Sequence, residues 1–376
     1  MKVRLKELGE IITGNTPSKK IKEFWNSEDI YFIKPDIIED SGVNEISETK
    51  EYISEEARKK ARIVTKKSIF VTCIGSIGKI GIASAGEYAF NQQINAIVPN
   101  EKVQSKYLAY NLLYNKPRLV AMANAPVVPI INKRQFGEFI VNIETDIGRQ
   151  VKIVNVLDRL THIIRLSKQE LEKLDELIKA RFVEMFGDSA SNEKGWKMNT
   201  FGDICTVRQG LQIPISKRLT EYEEDSYEYI TVQYLHGGKE KEYIKSPKES
   251  VKCTKDDILM TRTGNTGMVV TNVEGVFHNN FFLIDFDRER FEKDFLVEYL
   301  NLDLIQADIT RRAGTSTIPD LNHGEFYKIK VFEPPIDLQK EFDEFKMQVD
   351  KSKVAVQKAL DETQTLFDSL MQEYFG

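Results

Sequence analysis

Cysteine and histidine are scarce, with 3 and 4 among 376 residues. Cys73, Cys205 and Cys253 stand far apart, are odd in number and include no CxxC spacing. Neither a disulfide framework nor a structural zinc site is expected from them. His162, His236, His278 and His323 are scattered without the i, i+4 spacing of paired metal ligands, so each reads as a structural or surface residue. No run of about eighteen apolar residues occurs, and Met1 to Glu7 holds no apolar stretch of signal-peptide length. A cytoplasmic protein is expected. An excess of basic residues is missing too. The formal charge of −5 counts against a nucleic-acid partner, because phosphate is neutralised by Lys and Arg. The deficit is uneven, roughly +4 over residues 1–149, roughly +1 over the next stretch to 187, roughly −7 over the following 150 or so and roughly −3 over the remainder. Nucleic-acid binding is thereby left to local basic patches, or to a partner that brings charge.

What the chain does have is a repeat. Charged residues at 30 % and hydrophobic residues at 41 % are ordinary for an ordered protein, and the length favours two domains. The stretch Thr65 to Gly78 returns as Thr254 to Gly267, 189 residues later. The same offset relates Gly86 to Gly275, Asn91 to Asn280, Tyr110 to Tyr299 and Gln150 to Gln339, and carries Phe186-Gly187 onto Phe375-Gly376. With small shifts, Leu8-Gly9-Glu10-Ile11 matches Phe201-Gly202-Asp203-Ile204, and Pro129, Asn132 and Phe136 match Pro319, Asn322 and Phe326. Within each copy, short apolar runs such as Ile69-Phe70-Val71 and Ile80-Gly81-Ile82, broken by Gly, Pro and Asn, predict strands and turns. Short helices are predicted at 54–62 and 105–114.

After Gln150 the pattern becomes helical for roughly 37 residues, about 55 Å. Leu157, Ile164, Leu171, Ile178 and Met185 recur every seven residues, with Leu160 and Leu174 at the three-residue offset, which is a heptad seam. Phe342, Val349, Val356 and Leu370 form the spine of a second helix with Thr363 in the gap; Phe345, Ala359 and Leu366 supply its other row. Each stripe taken alone reads as a helix buried in its own domain. Two equivalent long helices separated by a domain read instead as an antiparallel pair.

Chemistry is hard to place. Glu333-Pro334-Pro335-Ile336 superficially resembles the (Asn/Asp)-Pro-Pro-(Tyr/Phe) motif of amino-methyltransferases, but Glu and Ile replace the amide or acid acceptor and the stacking aromatic. Gly75-x-x-Gly78-x-x-Gly81 lacks both GxGxxG spacing and the Lys-Ser/Thr of a P-loop, and Gly75 and Gly78 recur as Gly264 and Gly267, which fits tight turns. What remains is a set of polar loop residues: Lys19, Lys20, Arg62, Lys79, Asn91, Gln92, Gln93, Lys133 and Arg134 in the first copy, and Arg208, Gln209, Lys217, Gln233, Arg262, Asn279, Asn280, Arg311 and Arg312 in the second. Arg, Asn and Gln can bond base edges bidentately, whereas Lys mainly positions on phosphate. Taken singly, each is solvated surface. Together they are candidate DNA-binding residues, because the copies share glycines and helices yet differ here. A coiled-coil scaffold whose globular units bind proteins is the rival reading.

The layout resembles the specificity subunits of type I restriction-modification enzymes over essentially the whole chain. The resemblance rests on Pro334-Pro335-x-x-Leu338-Gln339-x-x-Phe342, on the helix ends Leu177, Phe182, Met185, Phe186, Gly187 and Leu366, Phe367, Leu370, Tyr374, Phe375, Gly376, and on the strand-turn segments 68–78 and 257–267. Thr145 to Gln150 departs from it, lacking the double proline of the second helix start. The resemblance implies an α+β fold in which two mixed α/β target recognition domains alternate with two long α-helices that pair as an antiparallel coiled coil, with an internal pseudo-two-fold repeat. The expected divisions are 1–149 and 188–337 for the recognition domains, 150–187 for a central spacer helix and 338–376 for a C-terminal one. It also implies a non-catalytic, sequence-specific DNA-binding subunit without a cofactor of its own. Two modification (methyltransferase) subunits carrying S-adenosylmethionine would dock on it and methylate an adenine in each half of a bipartite double-stranded DNA site, and restriction subunits would join. The target-recognition subunit of a type IIB enzyme is the alternative within this class.

Overall fold

Ile69, Phe70 and Val71 lie on a strand whose four residues are all buried, which is why the sequence there is a continuous apolar run and not an alternating one. Successive side chains on it still point to opposite faces: Ile69 and Val71 join one hydrophobic cluster and Phe70 another. Ile258, Leu259 and Met260 divide in the same way in the second copy. Each copy is therefore a sheet with a core on both faces. The computed structural model describes residues 1–123, 128–188, 191–235, 237–238, 240–314 and 319–376, so His236 falls outside the described residues. Two units are present: Met1–Gln169 together with Gln357–Gly376, and Glu170–Val356. Each long helix contributes to both units, so the first unit is assembled from two separate stretches of chain while the second is a single one.

The first unit contains β1 (Lys2–Arg4), α1 (Leu5–Leu8), β2 (Gly9–Thr13), β3 (Ile30–Ile33), β4 (Val43–Ile46), β5 (Glu51–Ile53), β6 (Ile63–Thr65), β7 (Ile69–Thr72), β8 (Ile80–Ala83), β9 (Glu87–Phe90), β10 (Ile94–Pro99), α2 (Ser105–Tyr114), α3 (Lys116–Met122), α4 (Lys133–Glu138) and β11 (Ile140–Asn142). A five-stranded sheet, β2-β10-β7-β8-β4, faces a four-stranded one, β5-β3-β9-β6, across the cluster of Phe70, Tyr88, Phe90 and Ala96, while α2 covers the other face of the larger sheet. The helix expected at 54–62 is a 3-10 turn, Glu55–Lys60, because the chain has only that short span between β5 and β6. After β11 comes α5 (Ile147–Phe186), 40 residues long. It starts three residues before Gln150, with the Asp146 carboxylate accepting from the amides of Gly148 (2.8 Å) and Arg149 (3.3 Å) as its N-cap.

The second unit repeats this with β12 (Lys197–Thr200), α6 (Phe201–Ile204), β13 (Cys205–Gln209), β14 (Ser226–Ile230), α7 (Val232–Leu235), β15 (Tyr243–Lys245), β16 (Lys252–Cys253), β17 (Ile258–Thr261), β18 (Val269–Val270), β19 (Gly275–Phe277), β20 (Phe281–Phe286), α8 (Lys293–Leu300), α9 (Asp303–Ala313), α10 (His323–Tyr327) and β21 (Lys330–Glu333). Its sheets run β13-β20-β17-β18 and β15-β14-β19-β16, and β14 pairs β19 in parallel as β3 pairs β9. The last helix, α11 (Ile336–Phe375), also has 40 residues and begins directly after Pro334-Pro335.

Within each unit the two long helices run antiparallel. In the second, Asp175 pairs with Lys353 (2.6 Å) and Arg181 with Glu341 (3.2 Å). In the first, Tyr107 of α2 lies against Phe375 and bonds the amide of Glu144, while Tyr110, one turn on, lies against Phe367 and bonds Asp158. Leu157, Leu160, Ile178, Phe342 and Val349 are buried; Ile164, Leu171, Leu174, Val356 and Leu370 are half-buried. Leu366, expected in the seam, is 50 % exposed. An α-helix drifts against a strict seven-residue repeat, so Leu360, Phe367 and Met371 turn inward there instead. No helix among the described residues is long and apolar enough to cross a membrane.

The repeat is written in hydrogen bonds. Gln150 and Gln339, both fully buried, do the same work: each side-chain oxygen accepts from the main chain just ahead of α2 or α8 (Gln104, 2.7 Å; Glu292, 2.9 Å), and each side-chain nitrogen donates to the carbonyl six or five residues back (Glu144, 2.7 Å; Pro334, 2.9 Å). Elsewhere the register differs from the constant offset. Phe90 and Phe277 hold equivalent places beside Ile33 and Ile230, two residues off the 189 spacing. Gly86, in a turn with φ +64°, is therefore not the counterpart of Gly275, which lies in β19 against the Glu228 carbonyl. Likewise Phe201 to Ile204 matches Leu5 to Leu8, since the amides of Leu5 and Phe201 bond Phe139 and Ile329 in the same way.

Candidate nucleic-acid interface

The loop that leaves β2 begins at Gly14, where a Cβ would come within 2.2 and 2.3 Å of the Asn91 and Phe90 carbonyl oxygens. Gly210 after β13 meets the His278 and Phe277 carbonyls at 2.3 and 2.4 Å. Only glycine allows this main-chain approach, which draws the β2 and β13 exits onto the turns 91–93 and 278–280. From there the main chain links further loops. The amide of Cys73 donates to the Gln93 carbonyl (2.7 Å) and its carbonyl accepts from Ile131 (2.8 Å); Arg262 does the same with Asn280 (2.7 Å) and Leu321 (2.9 Å). Gly75, Gly78, Gly264 and Gly267 all have φ between +77° and +91°, and Thr72 or Thr261 accepts the amide of Lys79 or Met268 across the turn (3.0 and 2.9 Å). At one end of its sheets each unit thus gathers four loops, 14–16, 73–78, 91–93 and 129–134, or 210–213, 262–267, 278–280 and 319–322.

In the first unit this brings together Arg62, Gln92, Gln93, Lys133 and Arg134. The Asn15 side chain donates to the Lys60 carbonyl (2.6 Å) and accepts from the Arg62 amide (2.9 Å), the Arg62 guanidinium bonds the Thr13 carbonyl, and Thr16 donates to the Gln92 side chain (2.9 Å). Lys133 and Arg134 open α4, exposed and without an ion pair among the described residues, behind a capping box built on Asn132 and Gln135. Asn91 is a correction. It is 7 % exposed, and its side chain is spent on the turn, donating to the Gln93 side chain (2.8 Å) and accepting the Gln93 amide (3.1 Å). Lys19 is tied to Glu51 (3.2 Å) and lies over Trp25, Lys79 reaches the Pro35 carbonyl at 3.4 Å, and Lys20 is exposed with no ion pair among the described residues; none of these bonds links them to the loop cluster.

In the second unit Arg208, Gln209, Arg262, Asn279 and Asn280 come together. Arg208 donates to the Ser250 carbonyl (3.1 Å), Gln209 is exposed at the end of β13, and Asn279 is half-buried beside it on the turn. Lys217 is exposed in the following loop and Gln233 on α7. Arg312 is another correction: at 17 % side-chain exposure it is held by Asp308 (2.8 Å) and Glu325 (3.3 Å), and so it fastens α9 to α10. Arg311 pairs with Asp308 too, but stays exposed.

Two contributors, His278 and Asp320, escaped the sequence pattern. His278 stands where Asn91 stands, its Nδ1 accepting the Asn280 amide (3.1 Å) as Asn91 accepts that of Gln93. That bond needs a neutral ring, and burial, aided by Arg218, lowers its pKa. Arg218 lies over Tyr229, bonds the Ile213 carbonyl and pairs with Glu242 at 3.0 Å, so it shapes the loop after Gly210. Asp320 grips Arg262 with two bonds. A comparison of Asp320 with Ile130, its counterpart in the repeat, would have been the available signal.

The remaining chemistry is structural. Burial holds the thiols of Cys73, Cys205 and Cys253 up at about 12, far from the range of a reactive thiolate. Glu333 of the Glu-Pro-Pro-Ile segment is gripped by Arg290 with two 2.8 Å bonds, which hold its pKa down at about 2. Among the described residues, no group of three or more His, Cys, Asp or Glu side chains could hold a metal.

The family model of the type I restriction modification DNA specificity domain matches residues 1–176 and again 193–363. The MjaIX type I restriction enzyme specificity subunit of Methanocaldococcus jannaschii is 29 % identical over 255 residues, covering 62 % of this chain and 58 % of that one. The match therefore spans less than two thirds of that relative. The EcoprrI specificity subunit of Escherichia coli is 22 % identical over 354 residues, covering 89 % and 84 %. Among solved structures, the type I restriction-modification S subunit from M. genitalium shares the fold, with a TM-score of 0.64 at 17 % identity over 100 % of this chain and 96 % of that one. Two successive matches to one domain are what the hydrogen-bonded repeat requires, and the chain belongs to the type I restriction modification DNA specificity family.

Proposed function

We propose that the chain is the sequence-reading specificity subunit of a type I restriction-modification system and carries out no covalent step itself. Each unit reads one half of a bipartite double-stranded DNA site through its loop cluster, in the cytoplasm. Two modification subunits dock on the chain and bring S-adenosylmethionine, restriction subunits join them, and the paired helices act as a spacer. The observation that carries this reading is the contrast between the copies. Their glycines and main-chain bonds agree, while the side chains carried at equivalent loop positions differ: Gln92 against Asn279, the buried Cys73 against Arg262, Ile130 against Asp320. A shared frame with unlike readers suits two unlike half-sites. The acidic overall charge fits a reader whose partner subunits supply phosphate contacts.

The test is methylome sequencing of a host carrying the modification subunits, with and without this gene. A bipartite methylated motif that appears only with the gene is the expected result. An unchanged methylome with every neighbouring methyltransferase would overturn the reading and favour a protein scaffold.

A further inference from the structure

Arg262 directly follows β17 inside the second loop cluster, and Asp320 accepts from its Nε (2.9 Å, to Oδ1) and from its Nη2 (2.8 Å, to Oδ2). This is a side-on grip. It occupies one edge of the guanidinium and leaves the other, Nη1 and the outer hydrogen of Nη2, without a partner among the described residues. That free edge offers two parallel donors, the pattern complementary to N7 and O6 of guanine in the major groove. Resting on the reading of the chain as a DNA-recognition subunit, we infer that Arg262 reads a guanine in the half-site of the second unit and that Asp320 is its positioning residue.

Three further observations support the assignment. The main chain of Arg262 is fixed on both sides by Asn280 and Leu321, and its side chain is only 19 % exposed, so its rotamer freedom is already lost before any DNA arrives. Its charge is neutralised by a carboxylate that is itself 45 % exposed. Such a pair has little to offer a phosphate, and an unpaired Asp320 would repel one, so the pair suits a base edge better than the backbone. In the first unit the equivalent positions are Cys73, buried, and Ile130, 44 % exposed, joined to Ile74 by the same lone bridge that joins Asp320 to Thr263. That unit has no donor there, so the contact belongs to one half-site alone.

The test uses the full chain assembled with its modification subunits and a set of duplexes substituted one base pair at a time across both half-sites, with competition binding at several salt concentrations. The parent must first discriminate among these duplexes; if it does not, the DNA-recognition reading itself has failed. Given discrimination, Arg262→Ala is expected to lose about 10- to 100-fold preference at a single G·C pair of one half-site, with the salt dependence unchanged. Arg262→Lys is expected not to restore it, since a lysine lacks the fork. Asp320→Asn, which keeps the size of the side chain, is expected to weaken preference at that same pair and nowhere else. Unchanged preference at every guanine overturns the inference. So does an equal loss on all duplexes with a shallower salt dependence, which marks a phosphate contact. If Arg262→Ala melts early, Asp320→Asn carries the same decision.

Discussion

Tyr107 and Phe375 pack ring against ring, 5.2 Å between centroids, both buried in the core of the first unit. One belongs to α2 and the other to the last turn of α11, so this core is finished by a segment from the far end of the sequence. Phe375→Ala should cost about 3–5 kcal/mol, as emptied aromatic core sites do. Hydrogen exchange should show protection falling in 105–114 while 258–261 stays protected. Equal loss in both units would show that the two cores melt as one.

Gly14→Ala and Gly210→Ala should be among the most damaging single-methyl changes, each costing at least about 3 kcal/mol. The added Cβ would meet carbonyl oxygens at 2.2–2.4 Å, and main chain on both sides leaves nothing soft to yield. Thermal melting of the two variants tests this. Gly75→Ala, where no heavy atom lies within 4 Å, is the control for positive φ alone.

Gln339→Ala and Gln150→Ala should behave alike, each destabilising its own unit by roughly 1–3 kcal/mol, because each deserts buried main-chain groups ahead of a helix. Urea titration measures it. A near-zero effect in one copy alone would mean that water replaces the amide there.

Two carboxyls should give opposite pH slopes. Burial, with Asp294 and Glu292 nearby and Lys346 opposing, raises Asp343 to about 7. Lys346 in turn pairs with Asp294 (3.2 Å) and Glu298 (3.0 Å). Between the ordinary aspartate range and pH 7 the folded state keeps a proton the unfolded chain has lost, so stability falls as pH rises through that window. Asp343→Asn should therefore gain stability over the parent at pH 8 and gain little at pH 4. Glu333, held down at about 2 by Arg290, contributes stability above the ordinary glutamate range that is lost as pH falls towards 2. Glu333→Gln should lose stability at pH 7 and match the parent near pH 2. Denaturant midpoints against pH check both signs.

If the helices are spacers, four residues inserted after Ser167 with a matching four after Leu360 should add about 6 Å of helix. The unread gap in the methylated motif is then expected to change by one or two base pairs, with both half-site sequences intact. An altered half-site in the methylome would end the spacer idea.

Much of this was legible beforehand. The four turn glycines at 75, 78, 264 and 267 were recognisable because positive φ leaves little choice of residue, and the heptads because a helix must bury one stripe wherever it packs. The two-residue change of register between the copies was not: chance identities, Gly86 with Gly275 and Asn91 with Asn280, concealed it, and only strand pairing separates true counterparts from coincident ones.

The sequence by itself determined the duplication, the long helices and which loops differ between the copies, since these follow from local conformational preference and from period. Which polar loop residues are free to read remained for the tertiary structure. Asn91 and Arg312 look as available as Gln92 and Arg311 along the chain, yet the first pair is consumed by partners and the second stays exposed. Asp320 turns Arg262 into an oriented fork from 58 residues away. Burial and partnership are set by what the fold brings near, and neighbours in space are not encoded by neighbours in sequence.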